Sequence, residues 1–165
     1  MAGLHKIALF GAGGTNIGYH LIRAFLADGS YNVTVLARAS SKSTYPSAVN
    51  VIKINDFNSH SELVSALKGQ DVLISGIGPE GFGIQHHLAG VCVEVGVKRF
   101  IPTEWGFDNQ DLNARELCPP IFGAKGKFVD EVLKKTEDKM TWTAVASSIW
   151  LDWCVILGVF FLYAS

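Results

Sequence analysis

A cluster of glycines stands where a short apolar segment near the N-terminus passes into a stretch with helical spacing. Residues 6–10 (KIALF) are mostly apolar and run directly into GAGGTNIG at residues 11–18. Glycines let the backbone turn tightly and approach a ligand closely, and the first turn of a helix offers unpaired N–H groups and a positive dipole end to an anion. The arrangement predicts a phosphate-binding turn. A glycine turn that binds nothing is the alternative interpretation.

The spacing of the glycines leaves open which of them would contact a diphosphate. It departs from G-x-G-x-x-G because Asn16, rather than a glycine, stands three positions after Gly13. Gly11, Gly14 and Gly18 match a looser G-x-x-G-x-x-x-G instead. The candidate cofactor-binding residues of the turn are therefore Gly11, Gly13, Gly14, Thr15, Asn16, Ile17 and Gly18.

Basic side chains follow the second apolar segment, at residues 33–36. Sites that prefer NAD usually carry Asp or Glu at this point, where the carboxylate accepts a hydrogen bond from the ribose 2′-hydroxyl. This chain has Arg38 instead, with Lys42 close behind. A guanidinium and an ammonium suit a 2′-phosphate, so the pattern predicts NADP(H) rather than NAD(H) as the cofactor. A solvated basic loop is the alternative.

Two further segments follow apolar runs and are candidates for the same site. Asp56 and Phe57 come after the third run, where side chains could lie at the edge of an adenine, and Asp56 could equally cap a turn. Gly76 and Ile77 come after the fourth run. Ligands of open α/β sheets bind outside the carboxyl ends of the strands, and small residues there leave room for a ribose. We therefore include Asp56, Gly76 and Ile77 among the candidate cofactor-binding residues.

Strand and helix patterns alternate along the chain, which predicts parallel strands joined by right-handed crossovers. Strands are expected at residues 6–10, 33–36, 49–54, 71–75, 99–102 and 142–145. Helices are expected at residues 17–26, between Ser59 and Gly69, and at 84–95 and 124–135, and residues 103–120 read as a long irregular stretch. The expected fold is a doubly wound (Rossmann), mostly parallel α/β sheet with helices on both faces and strand order 3-2-1-4-5-6.

Composition argues against several classes of protein. The chain carries 14 basic and 15 acidic side chains among 165 residues, a balance that offers no electrostatic reason to expect nucleic acid as a partner. Cys92, Cys118 and Cys154 form no C-x-x-C pair, which argues against a disulfide framework and a thiolate zinc site and fits the reducing cytoplasm. His86 and His87 are adjacent and would point about 100° apart on a helix, so no metal site is expected.

Apolar residues occur at both ends of the chain, where targeting or membrane segments are usually found. The N-terminal apolar stretch is short and closes in glycines, unlike a secretory signal. Residues 153–164 (WCVILGVFFLYA) are apolar, but a membrane-spanning helix needs about 20 such residues. A buried element is the first interpretation. A chain that stops early and exposes apolar surface is the second, and a membrane tail is the third. No membrane association is expected.

Several of these motifs resemble the NmrA-like, isoflavone-reductase-like branch of the atypical short-chain dehydrogenases. The glycine turn, Arg38 and DVLISGIG at residues 71–78 resemble that family, and GVKRFIPTEWGFD at 96–108 is similar to its G-V-K-R-F-x-P-S-E-F-G signature. The resemblance runs from Lys6 to about Trp153. It implies one NAD(P)-binding domain over residues 1–165, without the C-terminal part that builds much of the substrate pocket in the longer family members.

The resemblance also implies an activity and a catalytic residue. The family's F-x-x-K pattern is matched by Phe122 to Lys125, which makes Lys125 the candidate general acid or base; Lys127 is the alternative, and an exposed helix-start lysine is the plain structural interpretation. The implied function is an NADPH-dependent reductase acting on a small aromatic substrate. The alternative is a non-catalytic NADP-binding regulator that senses redox state and has a protein partner.

Overall fold

Six parallel strands form one sheet in the computed structural model, which describes residues 3–14, 16–148 and 150. The strands are β1 (Lys6–Phe10), β2 (Asn32–Arg38), β3 (Asn50–Ile54), β4 (Val72–Ser75), β5 (Arg99–Ile101) and β6 (Thr141–Trp142). Their order is β3-β2-β1-β4-β5-β6, and every neighbouring pair is parallel. The predicted strand order is therefore confirmed.

The sheet is buried on both faces, which explains why its strands are almost continuously apolar. Successive side chains of β1 alternate between two core clusters: Ala8 and Phe10 belong to one, and Ile7 and Leu9 to the other. Helix α1 contributes Ile22 to the second cluster. The first cluster takes its helical side chains from α2, α3 and α5. The predicted doubly wound architecture, with helices on both faces, is confirmed.

The helices begin and end largely where sequence signals place them. They are α1 (Ile17–Asp28), α2 (His60–Leu67), α3 (Ile84–Val95), α4 (Leu112–Leu117) and α5 (Ala124–Glu131). Ser59 caps α2 by accepting a hydrogen bond from the Glu62 N–H. The Glu62 carboxylate reaches back to the N–H of Asn55, 2.8 Å away, and so ties the helix start to the end of β3. Gly29 and Gly96 end α1 and α3 in the left-handed conformation.

The segment between β5 and α5 differs from its predicted irregular structure. Asp111 accepts a hydrogen bond from the Asn113 N–H and starts the short helix α4. A π-helical turn, Pro119–Gly123, then leads into α5. Periodicity did not reveal α4 because it is only 6 residues long and exposes Leu112 and Leu117 to solvent. The last predicted helix is also shorter, since a 3₁₀ turn, Leu133–Thr136, follows α5.

Some predicted features fall on residues that the structure does not describe. Thr15 is one of them, and so is the apolar run at residues 153–164, with Cys154. Among the helices of the described part, none is long and apolar enough to cross a membrane.

Candidate functional site

The glycine turn after β1 can be made only with glycine at its first position. Gly11 has φ +79°, a conformation that disfavours other side chains. A Cβ placed there would also lie 2.8 Å from the backbone nitrogen of Ile77. The turn therefore passes directly against the segment after β4, which brings the two predicted cofactor-binding segments together.

Asn16 holds the turn closed and caps the helix that follows. Its Oδ1 accepts a hydrogen bond from the Gly18 N–H, and its Nδ2 donates to the Gly11 carbonyl, each over 3.0 Å. Gly18 has a packing role, because a Cβ there would lie 2.3 Å from the Ala12 Cα. The first turn of α1 thus lies against the glycine turn, with its dipole end toward that edge of the sheet.

A cavity of about 410 Å³ opens at this edge of the sheet, between the carboxyl ends of β1, β2 and β4. Gly11, Gly13 and Asn16 line it on one side and Arg38 on another. Gly14, with φ +78°, stands apart from the lining. The structure thus brings Gly13, rather than Gly14, to the lining of the cavity.

The cavity is also lined by an aromatic ring from the segment after β3. Phe57 lines it, 4.6 Å edge-on from Phe10, and the Arg38 guanidinium lies 5.9 Å from the Phe57 ring centroid. Asp56 lies outside the lining, and its carboxylate accepts a hydrogen bond from the Asn58 N–H. Of the two roles considered for Asp56, the structure shows the turn cap. Lys42 is exposed and also lies outside the lining.

A second cavity, of about 370 Å³, continues from the first. The two share Asn16, Gly76, Ile77 and Gly78 as lining residues. Ile17 lines only the second cavity. Its remaining walls are mostly aromatic and apolar, and they include Phe82, Trp105, Phe107, Ile121 and Phe122.

Lys125 lines this second cavity and brings a side-chain amine to it. It is only 8% exposed, and its Nζ donates to the Glu104 carbonyl over 3.0 Å. The ammonium also lies 5.6 Å from the centroid of the Phe82 ring. Lys127, the alternative candidate, is exposed. Burial lowers the pKa of the Lys125 amine below its ordinary value, and the nearby Glu104 carboxylate partly opposes that shift.

Glu104 is a buried acid next to this lysine. It is 3% exposed, and its Oε2 accepts a hydrogen bond of 2.6 Å from Asn109 Nδ2. Burial raises the pKa of the Glu104 carboxyl, against the opposing effects of Asn109, Lys125 and Arg115. Desolvation therefore moves both Lys125 and Glu104 toward their neutral forms. Asp108 accepts a hydrogen bond from the Gln110 N–H and so caps a turn within the loop.

The loop after β5 is anchored to the rest of the site by side chains on remote elements. Thr103 donates its hydroxyl to the Ile77 carbonyl over 2.8 Å, and its N–H to the buried Gln85 side chain over 3.0 Å. Trp105 Nε1 donates to the Ser75 carbonyl at the end of β4. These contacts hold the loop over the point of the sheet where the strand order reverses. They also position the Glu104 carbonyl, which accepts the hydrogen bond from Lys125. Gln85 was not predicted as a site residue.

The histidines contact other side chains away from the two cavities. His87 stacks on His60, which pairs with Glu94 over 2.9 Å, and His86 meets the Phe128 ring edge-on. Within the described residues, no three His, Cys, Asp or Glu side chains form a group that could hold a metal ion.

Comparison with known families identifies the relationship that these features indicate. A profile of the NmrA-like family matches residues 4–151, which is most of the chain. The chain belongs to the NmrA-like family.

Individual relatives of this NmrA-like chain are oxidoreductases by name. It is 38% identical over 147 residues to the oxidoreductase aprR of Aspergillus flavus, covering 89% of this chain and 49% of that relative. It is 32% identical over 139 residues to phenylcoumaran benzylic ether reductase PT1 of Pinus taeda, covering 77% and 44%. The chain therefore spans about half the length of the curated relatives it matches.

Solved structures share the fold at lower identity. The chain matches AtPrR2 with NADP+ and (+)pinoresinol at a TM-score of 0.76 and 20% identity, covering 93% of this chain and 53% of that one. It matches isoflavone reductase at a TM-score of 0.71 and 22% identity, covering 93% and 52%. The NmrA-like chain thus shares its fold with about half the length of each of these larger chains.

Proposed function

We propose that this chain binds NADPH and forms the coenzyme-binding part of an oxidoreductase of the isoflavone-reductase-like type. The observation that carries the proposal is that the two cavities meet at residues 76–78. A dinucleotide whose diphosphate lay on the glycine turn would extend past these residues toward Lys125. The coenzyme would then enter the same apolar space as the buried amine.

The lining of the first cavity supports this coenzyme. A Cβ at Gly11 would collide with Gly76 and Ile77, so glycine there lets the turn and the segment after β4 meet beside the cavity. Arg38 would bind the 2′-phosphate, since a guanidinium can make paired, charge-assisted hydrogen bonds to it. Phe57 would lie against the adenine, and Gly76 leaves room for the nicotinamide ribose. Bound NADPH supplies a hydride.

Lys125 would handle the proton that accompanies reduction. Its pKa is lowered by burial, so a larger share of the amine is neutral near pH 7 than for an exposed lysine, and Nζ can accept as well as donate a proton. The Glu104 carbonyl orients that nitrogen over 3.0 Å. This geometry supports Lys125 as the general acid or base of the reaction.

The walls of the second cavity support a small aromatic substrate. Phe82, Trp105 and Phe122 present ring surfaces beside Lys125, and rings pack favourably in offset or edge-on arrangements. We propose reduction at an unsaturated or benzylic carbon held near Lys125. The names of relatives agree with that class: one is a phenylcoumaran benzylic ether reductase, and a solved neighbour carries NADP+ and pinoresinol.

Binding and turnover test the two parts of the proposal separately. Coenzyme fluorescence should report saturable binding of NADPH and weaker binding of NADH, and loss of NADPH absorbance should be followed with a panel of aryl alkenes and benzylic ethers. Equal, weak binding of both coenzymes would contradict the coenzyme assignment. Tight NADPH binding without turnover on any substrate would instead favour the non-catalytic regulator.

A further inference from the structure

The loop between β2 and β3 brings a tyrosine hydroxyl to the glycine turn. A Cβ built on Gly13 would lie 3.7 Å from Tyr45 Oη and 3.0 Å from Ser43 Oγ. Tyr45 also lines the 410 Å³ cavity, together with Gly13 and Arg38. One wall of the predicted diphosphate site therefore comes from the glycine turn, and a second comes from a loop that no glycine motif indicates.

Hydrogen bonds hold this loop in position over the turn. Lys53 on β3 donates its Nζ to the Ser41 carbonyl over 2.9 Å. The Ser43 N–H donates to Ser41 Oγ over 3.3 Å, and the Val49 N–H donates to the Pro46 carbonyl over 3.0 Å. The approach of Tyr45 to Gly13 thus belongs to a loop that its own hydrogen bonds hold in place.

The tyrosine ring is held by packing, while its hydroxyl remains available. The ring is half-buried and packs against the core cluster that includes Leu9 and Val35. Within the part of the chain that the structure describes, Tyr45 Oη makes no hydrogen bond. A phenol with a fixed ring and a free O–H, beside backbone N–H groups of a helix start, is suited to an anionic acceptor.

We propose that Tyr45 is a ligand of the dinucleotide's diphosphate, donating its hydroxyl to an oxygen of a phosphate that lies against the glycine turn. The proposal rests on the proposed function and adds a residue to its coenzyme site. Tyr45 approaches Gly13, which belongs to the diphosphate end of the cavity, whereas Arg38 lies where the 2′-phosphate is expected. Tyr45 therefore contributes equally to NADPH and NADH, and Arg38 distinguishes between them.

The test compares Tyr45→Phe with wild-type protein for both coenzymes. Removing one hydrogen bond to a charged group should weaken NADPH and NADH binding by a similar factor, about tenfold each. Tyr31→Phe is the matched control, because Tyr31 packs against the same core cluster just before β2 and away from the cavity. It should leave both affinities unchanged, and calorimetry should show equal melting temperatures for all three proteins.

Each outcome decides the role of Tyr45. Unchanged affinity in Tyr45→Phe, or a loss confined to NADPH, would overturn the diphosphate assignment. If wild-type protein binds neither coenzyme, the proposed function fails and the role of Tyr45 fails with it. A second measurement avoids substitution: NADPH should slow the nitration of Tyr45 by tetranitromethane and leave that of Tyr31 unchanged, as read by mass spectrometry. Equal nitration of Tyr45 with and without bound NADPH would contradict the contact.

Discussion

The two cavities of this chain share residues 76–78 but are built in different ways. The first is formed by backbone turns at the ends of strands, and its charged candidate, Arg38, is exposed. The second is formed by side chains from distant elements, and its charged group, Lys125, is 8% exposed. One cavity is suited to hold anions by geometry, and the other changes the chemistry of the group it encloses.

The difference follows from how much contact with solvent each cavity leaves to its charged groups. Arg38 keeps its contact with solvent, so its charge is available to a phosphate at little desolvation cost. Lys125 and Glu104 have lost most of their contact with solvent. Burial therefore lowers the pKa of the Lys125 amine and raises the pKa of the Glu104 carboxyl, which favours the neutral form of each. The proposed coenzyme binding and the proposed proton transfer thereby fall at separate places along one continuous groove, and four substitutions test that separation.

The largest effect is expected at the buried amine. Lys125→Ala should lower turnover by about 10²–10⁴-fold, the usual contribution of a general acid or base, and should leave NADPH affinity nearly unchanged. Steady-state kinetics and coenzyme titration would measure the two quantities. Lys127→Ala is the control, because Lys127 is two residues away and exposed. Unaltered turnover in Lys125→Ala, or an equal loss in both variants, would remove Lys125 from the mechanism.

The next effect concerns the packing beneath the first cavity. Gly18→Ala places a Cβ 2.3 Å from the Ala12 Cα, so the helix must shift and the free energy of unfolding should fall by about 1–3 kcal/mol. Gly90→Ala, in α3 and with open space around it, should instead stabilise the chain by about 1 kcal/mol through helix propensity. Urea unfolding measures both. A neutral Gly18→Ala would contradict the close packing of α1 on the turn.

A smaller effect should separate the two coenzymes. Arg38→Ala should weaken NADPH binding by about tenfold, since it removes charge-assisted hydrogen bonds to the 2′-phosphate, and should leave NADH binding unchanged. Raising the salt concentration should reduce the difference, because Arg38 is exposed. Fluorescence titration of both coenzymes gives the ratio. Equal weakening of NADPH and NADH binding would show that Arg38 does not bind the 2′-phosphate.

The smallest effect is a pH dependence of stability at Glu104. Because burial raises its pKa in the folded state, the folded chain holds this proton more tightly than the unfolded chain. The resulting stabilisation is present below the ordinary pKa of glutamate and is lost as pH rises through the folded value. Arg115, Asp108 and Lys125 also act on this carboxyl.

Glu104→Gln should remove that decline in the free energy of unfolding. The variant keeps the shape of the side chain, and exposed Glu116→Gln serves as the control that should follow the wild type. Urea unfolding at a series of pH values from 4 upward measures the slopes. Identical slopes in wild type and Glu104→Gln would show that the carboxyl is not desolvated as the structure indicates.

Local patterns predicted most of the fold and one half of the site. Short apolar runs marked the strands, Ser59 and Gly96 marked helix ends, and the glycine turn and Arg38 marked the first cavity. These features depend on backbone conformation within a few neighbouring residues, so local sequence patterns can predict them. Helix α4 has too weak a hydrophobic pattern to be predicted, because it is short and exposes its leucines.

The amino-acid sequence by itself indicated the alternating strands and helices and the turn after β1, since each follows from short-range periodicity and turn chemistry. The strand order followed from the doubly wound fold class that this alternation indicates. Only the tertiary structure decided that Phe57 rather than Asp56 lines the cavity, that Glu104 bonds to Asn109, and that Lys125 is buried. The reason is physical. Burial and desolvation depend on which remote segments pack together, and no local spacing of residues specifies those contacts.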